Sequence, residues 1–339
     1  MKNFWLSLPK PFFALAPMAN VTDAAFRRVI AKYSKIGHPM SDFVMYTEFV
    51  SADGLVKGNR EILLKDLIFS DEERPIVAQF FTSDSEMMEK AAALAQELRF
   101  DGVDINMGCP DRSVEKQGAG AKLMLNPALA RELIAAAKRG APTLPVSVKT
   151  RLGYNNDVLE DWLPALLEAE PAAVILHART RREMSKTPAH WERVARAVKI
   201  RDALLSRTLV VGNGDVKDVD DARAKARETG SDGVMIGRGI FGKPWLFDLR
   251  SRTVVERLGI LIEHVKLFEE LLGDVKSFAV MKKHFKAYLS GVALAKSDVE
   301  GFSGARELRA RLMESSTATE VERIVTNFLS SSTSDHLHL

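Results

Sequence analysis

The sequence predicts a (β/α)8 barrel followed by a small all-helical domain. Short apolar, β-branched runs recur eight times before residue 250, and longer segments with helical spacing separate most of them. The runs are almost continuously apolar, which is typical of parallel strands covered by helices. A doubly wound open sheet is the alternative, and the even spacing of strands and helices through the eighth run favours the barrel.

Eight runs rich in β-branched and aromatic residues are predicted as strands. They occupy residues 12–19, 41–49, 75–81, 102–108, 144–152, 172–179, 208–216 and 232–239. Helical spacing predicts helices over 23–35, 85–98, 127–139 and 157–169, and over "WERVARAVKI" and "DVDDARAKARETG". Thr22 or Asp23 is suited to cap the first helix.

The strand signals stop near residue 251. Four amphipathic segments follow, beginning with "VVERLGILIEHVKLFEELLG" and ending with "ATEVERIVTNFLS". We therefore expect a catalytic barrel domain over 1–250 and a helical domain over 251–339. The last residues, "SSTSDHLHL", are predicted to form a frayed tail.

Composition excludes several classes of protein. One cysteine in 339 residues argues against a disulfide-rich secreted protein and favours a reducing cytoplasm. The apolar N-terminus is interrupted by prolines, and no apolar run is long enough for a membrane span. A formal net charge of +3 permits a polyanionic partner without requiring one. We expect a monomer with no obligate protein partner.

Polar residues follow the apolar runs at the predicted strand ends, where (β/α)8 barrels carry their chemistry. Any one of these residues taken singly has a structural explanation, since a lone histidine, for example, is often a hydrogen-bonded core residue. Their placement together on one rim predicts an active site. The rim residues are Pro17, Met18, Ala19, Glu48, Gln79, Asn106, Cys109, Lys149, Arg151, His177, Arg179, Asn213, Gly237 and Arg238.

Glycine-rich turns follow the seventh and eighth strands. "GNGDV" (212–216) and "GRGIFG" (237–242) lie where barrels often bind phosphate through backbone N–H groups. Lys149 would suit a flavin, whose N1–C2 edge gains from a nearby cation on reduction. Gln79 is placed to bind the polar edge of the ring, and Asn213 the ribityl or phosphate group. The backbone of 17–19 would supply further contacts to the ring.

Cys109 lies in a long, glycine-rich connection after the fourth strand, predicted to be a mobile lid. Nucleophile, general acid and inert filler are the roles open to it. A nucleophile needs a base partner, and none is visible in the local sequence. We expect no metal, because the sequence has no CxxC or HxxxH spacing.

Seven segments together resemble the tRNA-dihydrouridine synthases. They are "APMANVTDAAFR", "DINMGCP", "GAGAKLM", "VKTRLG", "HARTR", "GNGDV" and "IGRGIFGKPWLF", in order between about residues 11 and 250. The "NMGCP…GAGAKLM" block is highly specific, whereas "GNGD" and "GRG" also occur in other flavin barrels. The chain departs from the family pattern at "FFTSDS" after Gln79 and at "REMSKTPAHW" after "HARTR".

The resemblance implies a cytoplasmic enzyme that carries FMN, is reduced by NADPH, and passes a hydride to C6 of a uracil in tRNA. It implies that Cys109 protonates C5 from the opposite face. Asn106, Arg151 and Arg179 would bind the substrate. The implied FMN contacts are Pro17, Met18, Ala19, Gln79, Lys149, His177, Asn213, Gly214, Asp215, Gly237 and Arg238.

Two other functions stay open at the level of sequence. One is a flavin-dependent dehydrogenase of a small pyrimidine, of the dihydroorotate or dihydropyrimidine type; the other is a non-catalytic RNA-binding barrel. The helical domain argues against the first, and the set of Cys109, Lys149 and His177 argues against the second. A basic cluster at Lys282, Lys283, His284 and Lys286 either contacts tRNA phosphates or is a solvated helix face.

Overall fold

The computed structural model describes residues 3–35, 43–248, 250–290 and 302–332. The chain forms two compact units. The barrel unit contains Met1–Ala19 and Asp42–Gly237, and the helical unit contains Asn20–Ser41 and Arg238–Leu339. The helical unit thus includes an N-terminal segment besides the C-terminal one, and the functional division at residue 250 stays a prediction.

Eight parallel strands within the described residues form one sheet in the order β1-β8-β7-β6-β5-β4-β3-β2. Val44, just before β2, closes the barrel, since its N–H donates to Phe13 (3.0 Å) and its carbonyl accepts from Leu15 (2.8 Å). The predicted barrel is confirmed, and the open sheet is wrong. The strands are β1 Phe12–Leu15, β2 Met45–Ser51, β3 Ile76–Phe81, β4 Gly102–Met107, β5 Val146–Arg151, β6 Ala173–His177, β7 Leu209–Asn213 and β8 Gly233–Ile236.

The helices follow the predicted segments closely, with three short additions. Asp23 caps the first helix by accepting from Phe26 N (3.0 Å), which decides between the two predicted caps. The short helices α2, α3 and α5 were not predicted, because five or six residues are too few to show helical periodicity. The helices are α1 Ala24–Ser34, α2 Ala52–Lys57, α3 Arg60–Leu64, α4 Ser85–Glu97, α5 Arg112–Lys116, α6 Pro127–Gly140, α7 Leu159–Leu167, α8 Trp191–Ala203, α9 Val219–Thr229, α10 Val254–Leu272, α11 Lys282–Ser290, α12 Ala305–Glu314 and α13 Ala318–Ser332.

The predicted strands extend beyond the observed ones at their carboxyl ends. Residues 16–19, 214–216 and 237–239 were predicted as strand and lie outside β1, β7 and β8. Pro17 lacks the N–H that would continue the ladder, and Gly214 and Asp215 both have positive φ. These residues form the turns at the barrel mouth.

The interior of the barrel is apolar at its amino end and polar toward its carboxyl end. Trp5, Phe12, Val77 and Leu209 are buried in one apolar cluster that fills the lower barrel. Gln79, Asp104 and Ser147 occupy consecutive positions in the register of β3, β4 and β5 and are fully buried. The packed base thus supports a polar layer beneath the mouth.

Helices α10, α11, α12 and α13 confirm the predicted helical character of the chain after residue 251. Helix α13 extends to Ser332, so the first two residues of the predicted frayed tail are helical. The rest of that tail, 333–339, lies outside the described residues. No helix in the described ranges is both long and apolar enough to cross a membrane.

Two fully buried histidines, His264 on α10 and His284 on α11, lie at the centre of the helical unit. Their ring centroids are 4.7 Å apart, and Phe26 stacks on His264 at 4.9 Å. Burial lowers the pKa of His264 to about 3, and burial lowers the pKa of His284 well below its ordinary value. His284 is therefore neutral and does not belong to a basic surface cluster, so that part of the sequence prediction is wrong.

This histidine pair makes the stability of the protein sensitive to acid. Below about pH 6.5 the unfolded chain takes up protons that the buried rings cannot accept. As the pH is lowered below that value, the free energy of unfolding should therefore decrease by about 1.4 kcal/mol per pH unit for each histidine. Urea unfolding followed by circular dichroism measures this dependence of the free energy of unfolding on pH. The range from about pH 7 to about pH 5 is suitable because it spans the ordinary pKa of histidine.

The matched variant is His284→Leu. Removing one buried histidine should remove that histidine's contribution to the change in unfolding free energy per pH unit. This holds even if the altered packing changes the stability at about pH 7. An unchanged slope in the variant would show that other groups cause the acid sensitivity.

Candidate active site

Cys109 lies just beyond the carboxyl end of β4. Its side chain packs against an apolar cluster that contains Phe81, Val114 and Ala119. Its N–H donates to Asn106 Oδ1 (2.9 Å), and its carbonyl accepts from Ala121 N (2.9 Å). Burial raises the pKa of the Cys109 thiol, against the smaller opposing effects of a hydrogen bond from the Asp111 backbone and of the charges of Arg151 and Lys149. The thiol is therefore held in its protonated form at neutral pH.

The connection after Cys109 is a packed segment, where the sequence predicts a mobile lid. It forms α5 and a 3-10 helix, Gly120–Leu125. Gly120 has a φ of +61°, and a Cβ there would lie 2.8 Å from the carbonyl oxygen of Cys109. Only glycine permits this approach, because a side chain would collide with the backbone that holds the thiol.

A salt bridge joins this connection to the segment after β6. Arg181 Nε donates to Glu115 Oε1 (2.6 Å), and a second guanidinium nitrogen contacts Glu115 Oε2. The Arg181 guanidinium also lies 5.1 Å from the ring centroid of Tyr154. Such a bidentate ion pair fixes the relative orientation of the two segments as well as the distance between them.

A hydrogen-bonded chain runs from the barrel interior to Cys109. Ser147 Oγ donates to Asp104 Oδ1 (2.6 Å), and Gln79 Nε2 donates to Asp104 Oδ2 (2.7 Å). Asn106 Nδ2 then donates to Gln79 Oε1 (3.1 Å). Asn106 Oδ1 accepts from the N–H groups of Gly108 (3.2 Å) and Cys109 (2.9 Å). Burial raises the pKa of Asp104 to about 6, so the carboxylate is largely ionised at neutral pH.

Lys149 on β5 reaches across the barrel mouth to Asn213 on β7. Its Nζ donates to Asn213 Oδ1 (3.3 Å), while Asn213 Nδ2 donates to the carbonyl of Met235 (2.8 Å). Burial and, to a smaller extent, the charge of Arg151 together lower the pKa of Lys149 to about 8, against the opposing charge of Asp104. This long hydrogen bond is the one that the ammonium makes among the described residues, which leaves donor capacity for a ligand.

Arg151 joins the Cys109 backbone to the segment after β6. Its Nε donates to the carbonyl of Gly108 (2.8 Å). Its Nη1 donates to the carbonyls of Thr180 (3.2 Å) and Met184 (3.1 Å). Burial lowers the pKa of Arg151 to about 10. Arg151 thus organises the site, and its predicted contact with a substrate stays a prediction.

Arg179 is buried among residues of the same rim. Its Nη1 lies 3.1 Å from His177 Nε2, its Nε donates to Thr187 O (2.7 Å), and its Nη2 contacts Asp215. Because a guanidinium group only donates, His177 Nε2 is the acceptor in this contact. With 2% of Arg179 exposed, its contacts are internal, and its substrate role stays a prediction.

The turn after β7 depends on glycine. Gly214 has a φ of +127°, and a Cβ there would lie 2.8 Å from the Cβ of Ala189. Its carbonyl accepts from Trp191 Nε1 (2.8 Å), so the turn is anchored to α8.

The end of β1 lies beside the end of β8. A Cβ at Gly237 would lie 3.5 Å from Ala16 Cβ and 3.8 Å from Met18 Sδ, so Met18 neighbours Gly237. Pro17 and Ala19 flank Met18 in the same turn. Arg238 begins the 3-10 helix Arg238–Ile240 of the helical unit. The proposed cofactor roles of these residues stay predictions.

Asp104, Ser147, Glu115 and Arg181 complete the site, and none of them was singled out from the sequence. A signal for Asp104 was present, because period-two alternation in β4 puts residues 104 and 106 on the same face. Glu115 and Arg181 lie on distant segments, and nothing in their local sequence indicates the pair. Among the described residues, no group of three or more histidine, cysteine, aspartate or glutamate side chains is placed to hold a metal ion.

This closed parallel barrel, with a lysine, an arginine and a protonated thiol at the carboxyl ends of its strands, defines a (β/α)8-barrel enzyme. Residues 14–333 match the dihydrouridine synthase family. The chain belongs to that family.

Curated relatives agree along almost the whole chain. A probable tRNA-dihydrouridine synthase of Staphylococcus epidermidis is 38% identical over 96% of this chain and 96% of its own length. A probable tRNA-dihydrouridine synthase 2 of Bacillus subtilis is 39% identical over 96% of this chain and 97% of its own. Family membership implies a flavin cofactor.

A solved structure with a similar fold is histamine dehydrogenase from Rhizobium sp. 4-9. The TM-score is 0.51 at 14% sequence identity, over 75% of this chain and 48% of that longer chain. At this identity the similarity concerns the fold alone.

Proposed function

We propose that the protein is a tRNA-dihydrouridine synthase that uses FMN and NADPH to reduce the 5,6 double bond of uridines in tRNA. The observation that carries the proposal is Cys109, a thiol kept protonated by burial beside two cations at the mouth of the barrel. Relatives named for this activity match over 96% of the chain, which favours it over a small-pyrimidine dehydrogenase or a non-catalytic barrel.

The residues of the mouth fit FMN. Lys149 has donor capacity and a positive charge for the N1–C2 edge of the ring. Gly214, Asp215 and Gly237 form turns at the ends of β7 and β8, where the backbone can approach a phosphate, and Arg238 follows in sequence. Pro17, Met18, Ala19, Gln79, His177 and Asn213 would make the remaining contacts. When bound, FMN would supply the hydride for C6.

Cys109 would supply the proton for C5. A general acid must stay protonated until its acceptor arrives, and the raised pKa of the buried thiol meets that condition. After donation, the neighbouring Arg151 and Lys149 would stabilise the thiolate electrostatically. The backbone hydrogen bonds to Asn106 and Ala121 hold the backbone of Cys109 in place.

The target base must leave its stack to reach this thiol. Flipping a base costs a few kcal/mol, and less in a loop that is already partly unstacked. Asn106 has one amide hydrogen beyond those that bind within the protein, and this hydrogen is available for a carbonyl of uracil. Arg151 and Arg179 would hold the surrounding walls in place. We further propose that the enzyme acts in the cytoplasm as a monomer.

The proposal is tested with purified protein, unmodified tRNA transcript and NADPH. The protein should be yellow with a flavin spectrum, and dihydrouridine should form in the transcript. Free orotate and uracil serve as competing substrates, because their reduction in place of tRNA would indicate a small-pyrimidine dehydrogenase. A colourless protein that does not take up FMN would contradict the proposal.

A further inference from the structure

We propose that Asp104 is a positioning residue that sets the side-chain amide orientations of Gln79 and Asn106, and through them the backbone of Cys109. This proposal rests on the proposed function in one respect, namely that the base bound by Asn106 is uracil. Asp104 is fully buried inside the barrel, so its action on the mouth passes through these two amides.

The carboxylate fixes one end of the chain. An ionised carboxylate accepts hydrogen bonds and donates none, so Gln79 must direct its Nε2 at Asp104. That bond is 2.7 Å long. The oxygen of the Gln79 amide is thereby directed at Asn106, at 3.1 Å from Asn106 Nδ2.

The backbone fixes the other end. The N–H groups of Gly108 and Cys109 only donate, so Asn106 must direct its Oδ1 at them and its Nδ2 at Gln79. Both ends demand the same orientation of both amides. Turning either amide over would set donor against donor and acceptor against acceptor, leaving buried groups unsatisfied.

The fixed orientation determines what Asn106 can recognise. Its oxygen is occupied by two backbone N–H groups, and one of its two amide hydrogens is occupied by Gln79. The remaining hydrogen donates. Asn106 can therefore bind O2 or O4 of uracil, and it has no acceptor to offer to N3–H.

Asp104→Leu removes the acceptor for Gln79 while keeping the branching of the side chain, and Asp104→Asn restores an acceptor. Cys109 is the only thiol, so its alkylation by iodoacetamide reports its position without flavin or tRNA. In Asp104→Leu we expect alkylation to be about fivefold faster, the equivalent of one lost hydrogen bond. Uridine reduction per bound flavin should be about tenfold slower.

Asp104→Asn should restore both rates to within about threefold of the wild type, because its amide oxygen can accept from Gln79. Ser147→Ala is the matched control for the alkylation rate. It removes the other hydrogen bond of Asp104 but leaves the bond to Gln79, so Cys109 should be alkylated at the wild-type rate. If Cys109 in a folded Asp104→Leu protein is alkylated at the wild-type rate, the proposal is wrong. An Asp104→Asn protein as defective as Asp104→Leu would also overturn it, because charge would then matter and orientation would not.

A neutron structure of the wild-type protein provides a test that does not depend on any variant folding. It should show the Gln79 amide hydrogens directed at Asp104 and the Asn106 oxygen directed at Cys109. The reverse orientation of either amide would overturn the proposal. Alkylation and neutron data decide the question even if the wild-type protein reduces no tRNA uridine, so the two proposals fail separately.

Discussion

Cys109→Ala should lose about 10²- to 10⁴-fold in dihydrouridine formation, the range that a positioned general acid contributes. The alanine removes the thiol that is the proposed proton donor, and it leaves the backbone bonds to Asn106 and Ala121 intact. Flavin binding and NADPH oxidation by oxygen should continue, since neither uses the thiol. Single-turnover reduction of a tRNA transcript, with dihydrouridine measured by mass spectrometry, gives the rate.

Cys109→Ser is the graded control for that variant. The hydroxyl matches the size of the thiol but holds its proton far more tightly, so activity should fall between those of alanine and wild type. If alanine forms dihydrouridine at the wild-type rate, another group delivers the proton and the role assigned to Cys109 is wrong.

Lys149→Met should slow flavin reduction by NADPH by about 10²-fold, the usual loss when one preorganised electrostatic contact is removed. Methionine keeps the length of the side chain and removes the charge beside the proposed N1–C2 edge. The bound flavin should also have a lower reduction potential, because the cation stabilises the negative charge of the reduced ring. Anaerobic stopped-flow reduction and a potentiometric titration measure the two effects.

Lys122→Met is the matched control for the loss of charge. Lys122 is exposed on the connection after Cys109, and its replacement should leave both quantities unchanged. If Lys149→Met is reduced as fast as wild type at the same potential, Lys149 does not face the flavin as proposed.

The barrel was predictable because its strands carry their information locally. In β5, Val146 and Val148 precede Lys149 and Arg151 at the mouth, and in β6 an apolar run likewise precedes His177. Strand ends were predicted too far along the chain at 16–19, 214–216 and 237–239. After β1 the residues Pro17, Met18 and Ala19 continue an apolar run, although the last ladder bond is the one that Ala16 N donates to Ile236 (2.8 Å). Composition does not reveal that end.

The arginines show what sequence could not supply. Arg151 and Arg179 were predicted to contact substrate from their place in the motif. Those substrate contacts stay predictions, and what the structure adds is that their guanidinium groups bind Gly108, Thr180 and Thr187 within the protein. Such contacts are set by how separate segments meet. The motif places these arginines at the strand ends but carries no information about which groups bind partners within the protein.

His284 shows a local pattern overridden by packing. Its neighbours Lys282, Lys283 and Lys286 suggest a charged surface, yet the helix turns residues 284, 285 and 288 into the interior. Helical periodicity was the better guide than local charge. The same face carries Phe285 and Tyr288, so an apolar stripe was present in the sequence.

The central claim is that this chain reduces uridine in tRNA, and mapping dihydrouridine in cellular tRNA tests it most directly. Total tRNA from a strain that lacks the gene should lack dihydrouridine at one or more positions. The wild-type gene should restore those positions, and the Cys109→Ala gene should not. A full complement of dihydrouridine in the deletion strain, in the absence of a second enzyme of this family, would contradict the account.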